Sequence, residues 1–300
     1  MAASPLRSAR LTSGCWRLIE SMTRVRWWGW TCMARGVPRL RYRSRMPRPP
    51  ASRLPPDQPR FSGSGPGVRA RDGCSVELYR RARYAGEIEP LRSLLPAGTR
   101  VLELGCGTGL LTHRLLEFGC EVTGVDNSPE MLAHVSSKVH RLCADIETLR
   151  LRERFEAVLL PSGLINHCDR AVRRAFLSAA HRHLSPRGVL ILKCQDPEWL
   201  RTAMAGWRAK PDLISLELLE AERIHCDGQL EVRMTLRYTL ADEAWTHSFS
   251  VIPLADADLQ DLLAASGFEA PVAIEGGPGW YVAKPAKPVA EPQNGSTTHV

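Results

Sequence analysis

The stretch from Thr99 to Gly119 constrains the fold more than any other part of the chain. A short apolar run, Thr99 to Leu104 (TRVLEL), gives way to Gly105, Cys106, Gly107, Thr108 and Gly109, and then to the helix-patterned LLTHRLLEFG. That order predicts a strand, a glycine turn and a helix, the opening unit of a parallel α/β sheet. Glycine in such a turn bends the backbone sharply off the strand and lets a ligand reach the main chain, with the amides of the next helix behind it. The dinucleotide fingerprint G-x-G-x-x-G needs a third glycine where Leu110 stands, so the spacing disfavours a pyrophosphate cradle.

A second apolar run, Glu121 to Val125, ends at Asp126, 21 residues beyond Gly105. In an open parallel sheet this sets a carboxylate beside the glycine turn, where it accepts hydrogen bonds from both hydroxyls of a ribose, so the expected ligand is a nucleoside. Asn127-Ser128-Pro129-Glu130 reads as a helix start, with Met131 placed to pack on an adenine face. Cys143-Ala144-Asp145-Ile146 follows, with Asp145 as a partner for an exocyclic amine. A fourth strand, Phe155 to Leu160, leads into Pro161-Ser162-Gly163-Leu164-Ile165-Asn166-His167. A helix from Arg170 to about Leu184, a Ser-Pro-Arg-Gly turn and a fifth strand, Val189 to Lys193, come next.

ELGCGTG, VDNS, CADIE, FEAVLLPSGLIN and HLSPRGVLIL, in that order and spacing, closely resemble the motifs of class I S-adenosylmethionine-dependent methyltransferases. The resemblance spans about Asp72 to Lys284. It implies an α/β fold of Rossmann-like type, a seven-stranded mainly parallel sheet with helices on both faces, and S-adenosyl-L-methionine as cofactor. It also implies that Gly105, Cys106, Gly107 and Gly109 line the methionine and ribose portion, with Glu103 helping to orient it. Asp126 then holds the ribose diol, with Asn127 a further cofactor contact beside it, Met131 covers adenine, Asp145 and Ile146 read its edge, and Ser162 lies near the sulfonium. The fourth motif offers PSGLIN in place of the Asn/Asp-Pro-Pro-aromatic signature of nucleic-acid and protein amide methylases, which tilts the acceptor towards a small molecule.

A methyl group on a sulfonium is already activated, so alignment and exclusion of water are the main tasks. Alignment can supply on the order of 7 to 11 kcal/mol, more than a general base at roughly 10²- to 10⁴-fold. That chemistry needs no metal. His167, just beyond the fourth strand, is the candidate base, and an exposed loop histidine is the plainer reading of the same residue. The expected reaction is in-line transfer to an O or N atom of a small molecule. A nicotinamide-dependent oxidoreductase shares the glycine turn and the ribose acid and stands as the alternative.

Composition separates two regions. Residues 1 to 71 hold fifteen arginines, no lysine and only Glu20 and Asp57 as acids, whereas the remainder holds 25 basic and 30 acidic residues. The overall +8 therefore belongs to an arm, residues 1–70, whose Pro/Arg/Gly/Ser-rich close from Met46 to Gly67 predicts disorder. It resembles an organelle transit peptide in composition. Its Trp27, Trp28 and Trp30 among arginines suit an anionic membrane or a nucleic acid, which makes nucleic-acid binding through the arm a third function for the chain. Coding-sequence bias, with Met33 or Met46 as the start, is the plain alternative. Nine cysteines without any C-x-x-C pair indicate neither a disulfide framework nor a zinc knuckle, and point to a reducing, cytoplasmic setting.

Outside the motifs, Asp72 to Tyr84 predicts a short helix presenting Tyr79, Arg80 and Tyr84. The resemblance implies a cofactor contact there, and Tyr79 is the candidate. Ile214 to His225, Gln229 to Leu240 and Ala244 to Leu254 predict an antiparallel addition at about 212–254 standing over the strand ends. Arg233, Arg237, Trp245 and His247 are its candidate substrate contacts, against the plainer reading of a solvated face. Ala255 to Ser266 predicts an amphipathic helix, Pro271 to Ile274 and Trp280 to Ala283 the last two strands, and 285–300 a disordered tail.

Overall fold

The computed structural model describes residues 61–210, 213–226 and 228–287. The expectations for residues 1–60 and for the tail beyond 287 lie outside the described residues. In chain order the elements are β1 (Ser62–Ser64), α1 (Val76–Arg81), β2 (Arg100–Leu104), α2 (Leu110–Glu117), β3 (Glu121–Asp126), α3 (Pro129–Leu132), β4 (His140–Cys143) and β5 (Phe155–Leu160). They continue with α4 (Arg170–His183), β6 (Leu184–Lys193), α5 (Pro197–Thr202), β7 (Arg208–Ala209), β8 (Ser215–Cys226), β9 (Gln229–Leu240), β10 (Glu243–Val251), α6 (Asp256–Ala264), β11 (Val272–Ala273) and β12 (Trp280–Ala283).

The seven-stranded sheet runs β11-β12-β6-β5-β2-β3-β4. Strands β2 to β6 are mutually parallel, and β12 returns antiparallel on β6. Both faces are covered, so residues 101–104 of β2 are all buried, Glu103 among them. Leu102 and Leu104 enter one core with α4 and α6, while Val101 enters the other with α2. The chain proceeds from β2 to β3 on one side and later to β5 on the other, so the strand order reverses at β2. Open α/β sheets bind ligands at the carboxyl ends of the strands flanking such a reversal.

Several of the helices start where their first-turn amides find side-chain acceptors. Ser75 Oγ accepts from Leu78 N at 3.2 Å, Ser128 Oγ from Met131 N at 3.2 Å, and Asp169 Oδ1 from Ala171 N at 2.7 Å. β6 departs from the expected turn-then-strand. It is continuous from Leu184, with Ser185 to Gly188 absorbed as an irregularity opposite β5. Gly188 makes that possible: a Cβ there would come within 2.9 Å of the Phe155 carbonyl oxygen.

The antiparallel addition is larger than the expected three strands, being a five-stranded sheet ordered β1-β10-β9-β8-β7. Its apolar face, including Leu216, Leu218, Val232, Met234, Leu236 and Trp245, packs on Leu78 of α1 and Leu200 of α5. The folded part also begins before Asp72, because Ser62–Ser64 pairs with Thr246–Ser248 and residues 61–74 form a strap across the strand ends. The composition of that strap hides it, since Gly63 and Gly73 approach too closely for side chains: a Cβ on Gly63 would lie 2.0 Å from Gly73 O.

Candidate active site

Leu104 pairs with Val125, so Gly105 and Asp126 leave the sheet side by side. The turn is fastened there by Gly105 N and Cys106 N, which both donate to Val125 O at 2.8 and 2.9 Å. Gly107 sits at φ +53°, in the left-handed region, and donates its N–H to Asp126 Oδ2 at 2.8 Å. Ser128 N donates to Asp126 Oδ1 at 2.9 Å. The carboxylate, with about four lone-pair sites, retains acceptor capacity for a vicinal diol beyond these bonds. Burial pushes the Asp126 carboxyl above its ordinary range, against the downward pull of the Ser128, Gly107 and Asn127 amides.

Over this turn lies a cavity of about 300 Å³. Of the anticipated residues, Tyr79, Gly105, Cys106, Gly107, Asp126, Asn127, Met131, Ile146, Ser162 and His167 line it. A Cβ built on Gly107 meets no atom within 4 Å, so a side chain there would occupy the cavity itself. Ser162, at φ +61°, is a non-glycine residue in the left-handed region, a strain that the loop after β5 holds at the cavity wall.

Three anticipated contacts are set back from that wall. Glu103 is buried on the α2 face of β2, where its Oε2 accepts from Thr112 Oγ1 at 2.6 Å, and burial pushes its pKa up to about 8. Gly109 is the left-handed N-cap of α2, behind the turn. Asp145 directs Oδ1 to Asn127 Nδ2 at 2.9 Å and to Arg71 at 3.4 Å, so it holds Asn127 and the strap.

His167 stacks on Phe61 at 5.1 Å between ring centroids, and burial lowers its pKa below the ordinary histidine value. Asp169 N donates to its Nδ1 at 3.0 Å, which leaves the proton of the neutral ring on Nε2. In this state His167 offers the cavity a donor. The anticipated base role needs the lone pair on the other nitrogen.

Sequence reasoning missed several residues that shape the cavity. Phe61, Ala70, Asp72 and Cys74 come from the strap, and Thr108 Oγ1 donates to Tyr79 O at 3.1 Å, tying α1 to the glycine turn. Asn166, fully buried, holds the loop after β5 in place. Its Nδ2 donates to Ile252 O at 2.9 Å, its carbonyl accepts from Ile252 N at 2.8 Å, and its Oδ1 accepts from Gln195 N at 2.9 Å. The PSGLIN motif marked the loop without indicating these partners. The addition's other candidates are structural: Arg233 pairs with Glu231 at 3.1 Å, Arg237 with Glu217 at 3.1 Å, and Trp245 is buried and donates Nε1 to Pro66 O at 2.9 Å.

Residues 101–188 match the family model described as a methyltransferase domain. That segment, from β2 into β6, therefore carries the sequence pattern of a methyltransferase domain. The "Ubiquinone biosynthesis O-methyltransferase" of Bradyrhizobium diazoefficiens is 32% identical over 117 residues, 36% of this chain and 44% of that protein. A "Putative methyltransferase" of Bacillus subtilis is 35% identical over 124 residues, 38% of this chain and 50% of that one. The chain thus spans half or less of the length of these curated relatives. Among solved structures, a sugar N-methyltransferase from Streptoalloteichus sp. superposes with TM-score 0.54 at 21% identity, covering 75% of this chain and 98% of that one. An S-adenosylmethionine-dependent methyltransferase from Clostridium acetobutylicum gives TM-score 0.52 at 18% identity, over 67% and 89%. At these identities the solved structures show the fold alone, a Rossmann-like central sheet. Among the described residues no helix is long and apolar enough to cross a membrane.

Proposed function

We propose that the chain is an S-adenosylmethionine-dependent methyltransferase acting on an oxygen or nitrogen of a small molecule. The observation that carries this reading is Asp126, whose carboxylate retains acceptor capacity beside the open face of Gly107 at the sheet's reversal point. The residues fit the cofactor: Asp126 would accept from the ribose diol, Met131 and Ile146 would flank the base, and Gly105 to Gly107 would let the methionine portion approach the main chain. When bound, the cofactor supplies a methyl group activated on a sulfonium. The chain's own work is to hold the two reactants in line and keep water out, which the strap and the aromatic pair Phe61 and His167 serve. Matches named as O-methyltransferases and N-methyltransferases support either acceptor atom, and no side chain in the cavity favours one.

Isothermal calorimetry on the purified chain tests the reading. S-adenosylhomocysteine should bind with one-to-one stoichiometry and NADH should give no heat. Binding of NADH with S-adenosylhomocysteine silent would transfer the assignment to a nicotinamide enzyme. His167→Ala should slow turnover about tenfold or less, the scale of one lost neutral hydrogen bond. Because the folded pKa lies below the ordinary value, the ring stays neutral as pH rises from there, and kcat/KM should show no limb from this group between about pH 6.5 and 8. A limb there that vanishes in His167→Ala would restore the base role.

A further inference from the structure

Asp72, Cys74 and His247 bring three different ligand types together at the rim of the cavity. Cys74 Sγ lies 3.2 Å from Asp72 Oδ2 and 3.8 Å from His247 Nε2, and one donor atom from each of the three residues lies within 4.8 Å of the other two. A tetrahedral zinc ion with bonds of about 2.3 Å to sulfur and about 2.0 to 2.2 Å to nitrogen and oxygen sets its ligands about 3.5 Å apart. The two separations from Cys74 Sγ bracket that value, and the third, between Asp72 and His247, lies within 4.8 Å, so ligation calls for local side-chain adjustment and no change of fold. We propose that Asp72, Cys74 and His247 form a binding site for a thiophilic divalent cation, zinc being the ion such a donor set favours.

The arrangement follows from the fold. Asp72 and Cys74 sit on the strap, and His247 on β10, whose pairing with β1 carries the strap across the strand ends. The donors from the two elements are 173 residues apart in sequence, so no local motif displays them. Without an ion, Cys74 Sγ–H donates to Asp72 Oδ2, and His247 Nε2 stands 3.0 Å from the Asp72 carbonyl oxygen. Binding would send the thiol proton to solvent and move the imidazole proton from Nε2 to Nδ1, so one proton leaves per ion. A thiolate and a carboxylate then balance the two positive charges.

Three protein ligands leave one coordination position, the pattern of catalytic rather than structural zinc. Asp72 and Cys74 line the cavity, so the site borders the space where an acceptor would lie. An acceptor hydroxyl held there would lose its proton to solvent near neutral pH and keep a lone pair for attack on the methyl group, a task for which the engaged Nδ1 of His167 is not free. This use of the ion rests on the methyl-transfer reading; the metal site does not.

The test titrates the chelator-treated full chain with Co²⁺, followed by competition with Zn²⁺. One equivalent of Co²⁺ should bind with a thiolate-to-metal charge-transfer band, and Zn²⁺ should abolish the band. Cys74→Ser should remove the band and His247→Ala should weaken Co²⁺ at least tenfold. Cys143→Ser and Cys226→Ser, which alter exposed cysteines, should leave both unchanged. No band, or a band that survives Cys74→Ser, would overturn the proposal. Thermal unfolding of each variant separates lost ligation from lost folding. Because the readout requires neither methyl donor nor acceptor, its failure is distinct from failure of the calorimetric test.

Discussion

Asp126→Ala is expected to lower the affinity for S-adenosylhomocysteine by about a hundredfold or more. Two hydrogen bonds from a diol to a charged acceptor contribute about 1.5 to 3 kcal/mol each, so their joint loss corresponds to at least two powers of ten. The substitution also leaves Gly107 N and Ser128 N without the acceptors they now use, which loosens the turn that the cofactor must touch. Asp126→Asn should retain part of the affinity, because one amide oxygen still accepts while its NH₂ group faces a backbone donor. Burial holds the Asp126 carboxyl above its ordinary range. Binding that depends on its ionised form is therefore full at higher pH and declines as pH falls through that raised pKa, earlier than for an exposed aspartate. Calorimetry across pH measures both effects, and unchanged affinity in the alanine variant would contradict the ribose assignment.

The parts of this site that could be read in the chain are those whose partners are local. Gly105, Gly107 and Asp126 are brought together by two adjacent parallel strands, and the spacing of one β-α-β unit encodes that approach. The strap could not be read that way. Its Pro, Gly and Ser content matches a linker, and it becomes structure only by pairing with β10, almost two hundred residues later. The same distance hides the approach of Cys74 to His247 and the hold of Asn166 on Ile252. Asp145 shows a different limit: β4 places it on the right edge, but its side chain is drawn to Asn127 and Arg71, a choice of rotamer and partner that periodicity does not contain. Arg237 looks available on an exposed strand face until the neighbouring strand β8 supplies Glu217, whereas the partner of Arg233, Glu231, stands two residues away on the same face of β9 and was within reach of the strand alternation.

Glu103 links the sheet to stability, and Glu103→Gln is expected to stabilise the protein in mild base. The carboxyl titrates at about 8 in the fold because burial penalises its charge, whereas an unfolded chain releases that proton near the ordinary glutamate value of about 4.3. The stabilising contribution of the neutral acid is therefore complete below about pH 4 and is lost as pH rises, levelling off above about 8. Each unit of difference corresponds to about 1.4 kcal/mol, so the total change is a few kcal/mol, or several degrees in Tm for a domain of this size. Glutamine keeps an oxygen for the Thr112 hydroxyl and cannot ionise, so its Tm should exceed that of the parent at pH 8.5 and depend less on pH. Parallel Tm profiles for the two proteins would refute the assignment of that pH dependence to Glu103. The same variant separates the two roles open to this residue. A side chain turned to Thr112 and away from the cavity predicts S-adenosylhomocysteine affinity within a few-fold of the parent, whereas a direct hold on the methionine portion predicts a loss on the scale of Asp126→Ala.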